Sequence, residues 1–292
     1  MQRWIPIVSL LLRSARFERK RGRVPLVGQV LPRKIAVIVT TVNVNGLRSA
    51  ANKGLYHWIE RTQPDVVCLQ ETRCHAAQRG VLPALADYHA YFHDALKPGY
   101  SGVAVFSRRV PDQIIEGIGW TDFDTEGRFL RVDFGNLSIV SLYLPSGSSG
   151  DARQLVKYDF MGRFFEVLRD FNRSGREFII CGDWNIAHRP IDLKNWRANQ
   201  KCSGFLPDER AWMDRVFDEL GYVDAFRVVN QEPDQYTWWS NRGQAWVKNV
   251  GWRIDYQIVT PGLKPTIRSA RIYKDQRFAD HAPLTLEYDI AS

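Results

Sequence analysis

From about residue 35, short β-branched runs repeatedly end in a polar or acidic residue and a turn, and this most constrains the fold. Ile38–Val44 ends at Asn45-Gly46, and Val66–Leu69 ends at Gln70-Glu71. Phe178–Cys181 runs through Gly182 to Asp183 and Asn185, and Asp280-His281 stands just before Leu284–Tyr288. Runs of this kind read as strands. Ends of adjacent strands converge in space, so oxygen ligands far apart in the chain can meet at one point. Such a group suits a hard cation such as Mg²⁺. Taken singly, each residue is an ordinary strand-end turn residue, because Asn, Asp and Gly are common there.

Helical patterns alternate with the strands. Leu47–Arg61 carries Leu55, Trp58 and Ile59 at helical spacing and stops before Pro64. Arg153–Phe171 has Leu155, Phe160, Phe164, Val167, Leu168 and Phe171 for a buried face. Asp208–Leu220 has acids in its first turn, Trp212, Val216 and Leu220 every four residues, and Gly221 as its C-cap. Lys34–Thr41, Gly102–Ser107, Phe129–Phe134, Leu137–Leu144, Tyr236–Trp239 and Ile254–Val259 read as further strands. Many strands with a few interspersed helices predict an α/β or α+β sandwich, in one domain over residues 35–292.

Charge divides the chain. Residues 1–34 hold nine Lys/Arg against Glu18, which accounts for the whole net charge of +8. The body is neutral, so any phosphate-binding surface there is a local patch. The basic segment reads as a disordered extension. A targeting segment, a basic arm and a start codon assigned too early all fit it. Cys68, Cys74, Cys181 and Cys202 form no C-x-x-C pair, which argues against a zinc or redox motif and fits a reducing cytosol. No run approaches the roughly 20 apolar residues that span a bilayer, so no membrane partner is expected.

Seven stretches, in order, carry a resemblance: NVNGLR (43–48), LQET (69–72), YSGVAVFS (100–107), SLYLPSG (141–147), CGDWNIAH (181–188), GWRIDY (251–256) and DHAPL (280–284). Together they resemble the exonuclease III/AP endonuclease family of the endonuclease/exonuclease/phosphatase superfamily, and are most similar to its Neisseria-type bacterial branch. The resemblance spans residues 35–290 and leaves residues 1–34 without a counterpart. It implies a deoxyribonuclease I-like fold, a four-layered α/β sandwich of two packed mixed sheets flanked by helices. It also implies a DNA-repair phosphodiesterase that cuts duplex DNA 5′ to abasic sites, with 3′→5′ exonuclease and 3′-phosphatase activities alongside. The implied partner is double-stranded DNA with abasic sites or 3′-blocked ends. The implied enzyme is a bacterial, cytoplasmic, nucleoid-associated monomer.

The resemblance also distributes roles. Glu71, Asn45 and Asp280 are the implied ligands of Mg²⁺, with Mn²⁺ as the alternative occupant. Asn45 stands where some relatives carry Asp, so its amide brings an oxygen without charge and weaker cation affinity. Asp183 is the implied general base, and Asn185, two residues on in an extended chain, would share its face. Asp255 would pair with His281 and favour a protonated ring that binds the scissile phosphate. Tyr143 and Asn43 complete the catalytic set. Trp238, Trp252 and Ile254 match a pocket for an extrahelical abasic sugar, which a flipped nucleotide would enter.

Asn195, Asn199 and Arg242 are implied substrate contacts. Lys194, Arg197 and Lys201 form one basic patch, and Arg242, Lys248 and Arg253 another. The family's DNA-penetrating arginine has no counterpart, since Ser146-Gly147-Ser148-Ser149 stands there. The same core with a phosphoinositide or sphingomyelin substrate is a competing enzyme reading. A non-catalytic DNA-binding scaffold is a third, which the intact acidic set argues against.

Overall fold

The computed structural model describes residues 34–80 and 85–291. The expected disordered extension falls outside them, except for Lys34, which opens the first strand. The strands follow in chain order: β1 (Lys34–Asn43), β2 (Val66–Gln70), β3 (His89–His93), β4 (Val103–Ser107), β5 (Gln113–Glu116), β6 (Phe129–Phe134) and β7 (Leu137–Tyr143). Then come β8 (Glu177–Asp183), β9 (Val223–Asp224), β10 (Trp238–Trp239), β11 (Gly251–Trp252), β12 (Asp255–Val259), β13 (Ile267–Ile272) and β14 (Leu284–Ala291).

Two six-stranded mixed sheets result, ordered β13-β14-β1-β2-β4-β3 and β5-β6-β7-β8-β12-β9. Each contains one parallel pair, β1 with β2 and β7 with β8, while their other pairs are antiparallel. Parallel neighbours end at the same edge. Asn43 therefore lies beside Gln70, one residue before Glu71, and Tyr143 lies beside Asp183. β12 runs antiparallel to β8, so its first residue, Asp255, falls opposite Asp183. The fold thus gathers the marked residues at one edge.

Val39, Cys68 and Val105 of one sheet meet Val132, Ile139 and Cys181 of the other in the central core. Polar groups in this core are hydrogen-bonded, as burial demands. Gln70 Nε2 donates to Ser141 Oγ at 2.9 Å, and Gln257 Nε2 donates to the Val39 carbonyl at 2.8 Å. On the outer faces, Leu55, Trp58 and Ile59 cover Val67 and Leu69. Phe160, Phe164, Leu168, Trp212 and Val216 cover Phe178, Ile180 and Ile258. Helix, sheet, sheet, helix is the four-layered order expected.

The details depart from the sequence pattern in three places. The predicted helix Leu47–Arg61 is two helices, Leu47–Asn52 and Leu55–Thr62, because Gly54 takes the left-handed φ of 91° between them. The third long helix stops at Asp218 with Glu219 as its C-cap, while Gly221 lies beyond it at φ 74°. Strands β3, β5 and β13 carry exposed or half-buried residues at most positions and gave no apolar run to read. Among the described residues, no helix is long and apolar enough to cross a membrane.

Candidate active site

Asp183 is the last residue of β8 and is almost fully buried. Gly182 sets it in place: a Cβ there would lie 1.9 Å from the Leu142 carbonyl oxygen, and its φ is +143°. No other residue type fits so close an approach of β7 to β8. Asp183 Oδ2 accepts from Asn43 Nδ2 at 3.0 Å, and Oδ1 accepts from the Asn185 amide at 2.8 Å. Trp184 turns the other way into the outer core.

Asn185 does not continue the strand, as the spacing had implied. It adopts the left-handed φ of 52°, and that turn brings it back toward Asp183. Its Nδ2 donates to the Leu144 carbonyl at 2.9 Å. Asn45 (φ 43°) and Glu71 (φ 50°) are left-handed too. Such angles are uncommon outside glycine and persist where surrounding bonds enforce them. Here Gly46 N–H donates to the Glu71 carbonyl at 2.8 Å, and Leu47 N–H to that of Thr72 at 2.8 Å.

One hydrogen-bonded chain links the implied cation ligands to Asp183. Asn43 Nδ2 reaches Glu71 Oε1 at 2.7 Å as well as Asp183, and Asn43 Oδ1 accepts from the Asn45 amide at 3.0 Å. Asn45 Nδ2 then donates to Asp280 Oδ1 at 2.9 Å, and Trp238 Nε1 donates to Asp280 Oδ2 at 3.1 Å. Burial raises the Asp280 carboxyl, but His281 and these donors prevail and hold it below the usual carboxylate range.

His281 Nδ1 lies 2.9 Å from Asp255 Oδ2, and its Nε2 lies 3.9 Å from Asp183 Oδ2. Burial works against a charged ring. The Asp255 carboxylate and its hydrogen bond, with Asp183 and Asp280 nearby, outweigh it and raise the ring pKa to about 10. At neutral pH the ring is therefore an imidazolium with both nitrogens as donors. Burial raises the Asp183 carboxyl to about 7, against the lowering influence of His281.

Asp183, Asp255 and His281 bring ligand atoms within 4.8 Å of one another. That trio makes a poor cation site, because a protonated imidazole has no lone pair to offer. The all-oxygen set of Glu71, Asn45 and Asp280 fits a hard cation better. Among the described residues, Glu71, Asp183, Asp255 and Asp280 pair with His281 and Arg73 as their only cations in the bonded cluster, and Asp255 Oδ1 is buried without a partner. This excess of negative charge suits a bound cation.

Tyr143 ends β7 beside Asp183. Burial pushes its phenol well up, and the nearby Glu71 pushes it further, so it stays a neutral donor. The buried Arg128 guanidinium lies 4.7 Å from the ring centroid and donates to the Tyr143 carbonyl at 3.1 Å.

The two-stranded ribbon sets Trp238 opposite Trp252, edge to face at 6.3 Å between ring centroids. Ile254, Leu193 and Phe205 complete this apolar cluster, and Trp238 also bridges to His281. The Asn195–Asn199 loop joins it through Trp196 and the Leu193–Trp252 bridge. Asn199 Nδ2 donates to the Asn195 carbonyl at 3.0 Å, so those two residues brace each other. Arg242 is exposed on the loop after β10, and among the described residues no side-chain bond ties it to the catalytic group.

Arg253 is not part of a basic surface, as its position had suggested. It is fully buried and pairs with Asp192 at 2.8 Å and Asp224 at 2.6 Å. A different basic surface flanks the site. A cleft of about 790 Å³ is lined by Arg48, Lys53, Thr72 and Arg73. A second of about 270 Å³ lies between Asn45, Lys53, Arg277 and Asp280.

Sequence reading also missed Arg128, Arg73, Lys157 and Glu209. Arg73 pairs with Glu71. Lys157 and Glu209 form a fully buried pair at 2.5 Å. A signal existed for both. Lys157 falls on the helical stripe of Phe160, Phe164 and Leu168, and Glu209 on that of Trp212 and Val216, where a charge calls for a partner.

The fold and this edge-located acidic site define a class, and comparison with known proteins agrees. The chain belongs to the endonuclease/exonuclease/phosphatase family, whose model matches residues 40–281. It is 40% identical over 253 residues to an exodeoxyribonuclease of Bacillus subtilis, covering 85% of this chain and 98% of that protein. It is 35% identical over 257 residues to the DNA repair nuclease APEX1 of Danio rerio, covering 85% of this chain and 81% of that protein. A solved structure of the Neisseria 3′ phosphatase NExo bound to a product DNA hairpin superposes with a TM-score of 0.79. It has 25% identity and covers 87% of this chain and all of that one.

Proposed function

We propose that this chain is a metal-dependent nuclease that hydrolyses duplex DNA 5′ to abasic sites, leaving a 3′-hydroxyl, and that also acts at 3′ ends and 3′-phosphates. The observation that carries this is the 3.9 Å separation of His281 Nε2 and Asp183 Oδ2. A proton donor and a proton acceptor face each other too far apart for a direct hydrogen bond. They are spaced to engage a phosphate oxygen and an attacking water. The names of its relatives, an exodeoxyribonuclease and a DNA repair nuclease, support the substrate class.

In this reading Asp183 removes a proton from the water that attacks phosphorus. Asn43 and the Asn185 amide hold that carboxylate in aim. The imidazolium of His281, kept charged by Asp255, donates through Nε2 to a non-bridging oxygen as its charge grows. Tyr143 donates a hydrogen bond from its neutral phenol to the same phosphate. Glu71, Asn45 and Asp280 would hold Mg²⁺ (or Mn²⁺), which supplies charge neutralisation at the phosphate and at the departing O3′. The Trp238–Trp252–Ile254 cluster, next to His281, accepts a bare deoxyribose turned out of the helix. Arg48, Lys53 and the Asn195–Asn199 loop take flanking phosphates and set register without reading sequence.

Three labelled duplexes test this: an abasic-site analogue, a recessed 3′ end and a 3′-phosphate, each with Mg²⁺ or with EDTA. Cleavage in Mg²⁺, its loss in EDTA and its loss in Asp183→Asn are expected. Full activity of Asp183→Asn, or in EDTA, would sink the hydrolytic assignment.

A further inference from the structure

Besides Arg128, a second buried cation reaches into the site from outside it. Lys157 lies on the helix Asp151–Arg173, packed among the apolar residues of its inner face, with no exposed surface. Its Nζ donates to the Asn185 carbonyl oxygen at 2.8 Å and to Glu209 Oε1 at 2.5 Å. Glu209 lies on the helix Pro207–Asp218 and is also fully buried. Its Oε2 accepts from the amides of Gly204 at 2.6 Å and Leu206 at 2.9 Å, and Gln154 Nε2 donates to its Oε1 at 3.1 Å. The Gly204 carbonyl in turn accepts from the Ala187 amide at 2.7 Å.

Two helices and two loops thus close on one turn of chain, the one holding Asn185 in its left-handed conformation. Burying an ion pair is costly and is weak evidence of stabilisation alone. Burial lowers the Lys157 pKa, and Glu209 opposes that fall. A methionine or leucine would fill the space on Lys157's helix face without desolvating a charge. An aliphatic side chain cannot donate to the Asn185 carbonyl from behind while two helices fix the donor.

We propose that Lys157, held by Glu209, is a positioning residue for Asn185, locking its backbone so that its amide and side chain stay aligned with Asp183. The proposal rests on the nuclease reading for its kinetic consequence but not for its structural one. The geometry of Asp183 depends on the Asn185 amide, which donates to Oδ1 at 2.8 Å. Release of the Asn185 carbonyl frees that turn to rotate. Misplacement of a catalytic group by about 1 Å can cost about 100-fold in rate.

The test uses Lys157→Met/Glu209→Gln in the full chain. Gln keeps an acceptor for the Gly204 and Leu206 amides, and the buried charges leave together. Amide hydrogen exchange followed by mass spectrometry reads the turn without any substrate. Faster exchange confined to residues 184–188, with the sheets unchanged, is expected. On cleavable DNA, kcat should fall about 10- to 100-fold with KM within twofold, and a smaller fall should persist in an Asn185→Ala background, which removes the side chain but keeps the amide that donates to Asp183. Lys157→Gln, which retains a donor for the carbonyl, should recover part of kcat. Unchanged exchange at 184–188 would overturn the proposal, as would a kcat equal to that of the wild type. Loss of the fold in both Lys157 variants would also overturn it, since the pair would then serve stability alone. A wild-type protein that cleaves no DNA would refute the nuclease reading, and the exchange result would still decide the positioning.

Discussion

Asp255 Oδ2 lies 2.9 Å from His281 Nδ1, although the two residues come from separate elements, the first position of β12 and the turn before β14. The pair orients the ring so that Nε2 faces Asp183. Asp255→Asn retains shape but removes the charge that keeps the ring a cation. A drop in kcat of about 100- to 1,000-fold is expected, with substrate binding largely kept. Single-turnover cleavage alongside a DNA-binding titration reads both. A change of less than about fivefold would dismiss the imidazolium role.

Asn43 stands between Glu71 and Asp183 and donates to both carboxylates. Asn43→Ala leaves those two anions facing each other with no shared donor. Activity should fall about 10- to 100-fold, while the thermal midpoint moves little. Asn43→Asp should be worse than Asn43→Ala, because it adds a third anion. If both variants cleave at the wild-type rate, the bridge is incidental.

Asn45 brings an uncharged oxygen and donates its amide to Asp280. Asn45→Asp adds a carboxylate to the implied cation site. The Mg²⁺ concentration for half-maximal cleavage should fall several-fold, and EDTA should abolish cleavage in both proteins. A higher Mg²⁺ requirement in the variant would contradict the assignment of Glu71, Asn45 and Asp280 as ligands.

Asp192 offers a pH test away from the site. Burial raises its carboxyl, but Arg253 and Arg227 outweigh this and hold it below the usual range. A depressed carboxylate adds stability that is present above its unfolded pKa of about 3.9. That stability is lost as pH falls through the lower folded value. Asp192→Asn leaves buried Arg253 with Asp224 as its remaining carboxylate partner and should cost about 1.5–3 kcal/mol at pH 7. The gap to wild type should narrow below about pH 4. Urea unfolding at pH 7 and in the acid range measures it, and a constant gap would exclude the ion-pair origin.

Much of the site was legible because its residues lie next to the strand breaks that make strands readable. Asp183 and Trp184 point to opposite sides, as alternation requires, with Trp184 in the outer core. Asn185 was identified for the wrong geometric reason, since a left-handed turn and not strand periodicity presents it. Arg253 was misread as surface charge because its partners, Asp192 and Asp224, are 61 and 29 residues away. Lys157 and Glu209 were missed for the same reason, being 52 residues apart. Charge pairing over such separations leaves no local pattern beyond an ion on an apolar stripe.

By itself, the order of apolar runs and breaks determined an α/β or α+β sandwich and the strand ends that carry oxygen ligands, while the two packed sheets and most residue roles came from the resemblance of the seven stretches. The sandwich and the strand ends follow from local periodicity, which short stretches of chain encode directly. Only the tertiary structure decided which ends meet. The parallel pairing of β1 with β2 and of β7 with β8, and the antiparallel return of β12, bring Glu71, Asp183 and Asp255 to a common edge. Packing also decided which charges are buried: burial raises the Asp183 carboxyl to about 7, while at His281 the Asp255 carboxylate overcomes the opposing effect of burial and keeps the ring charged.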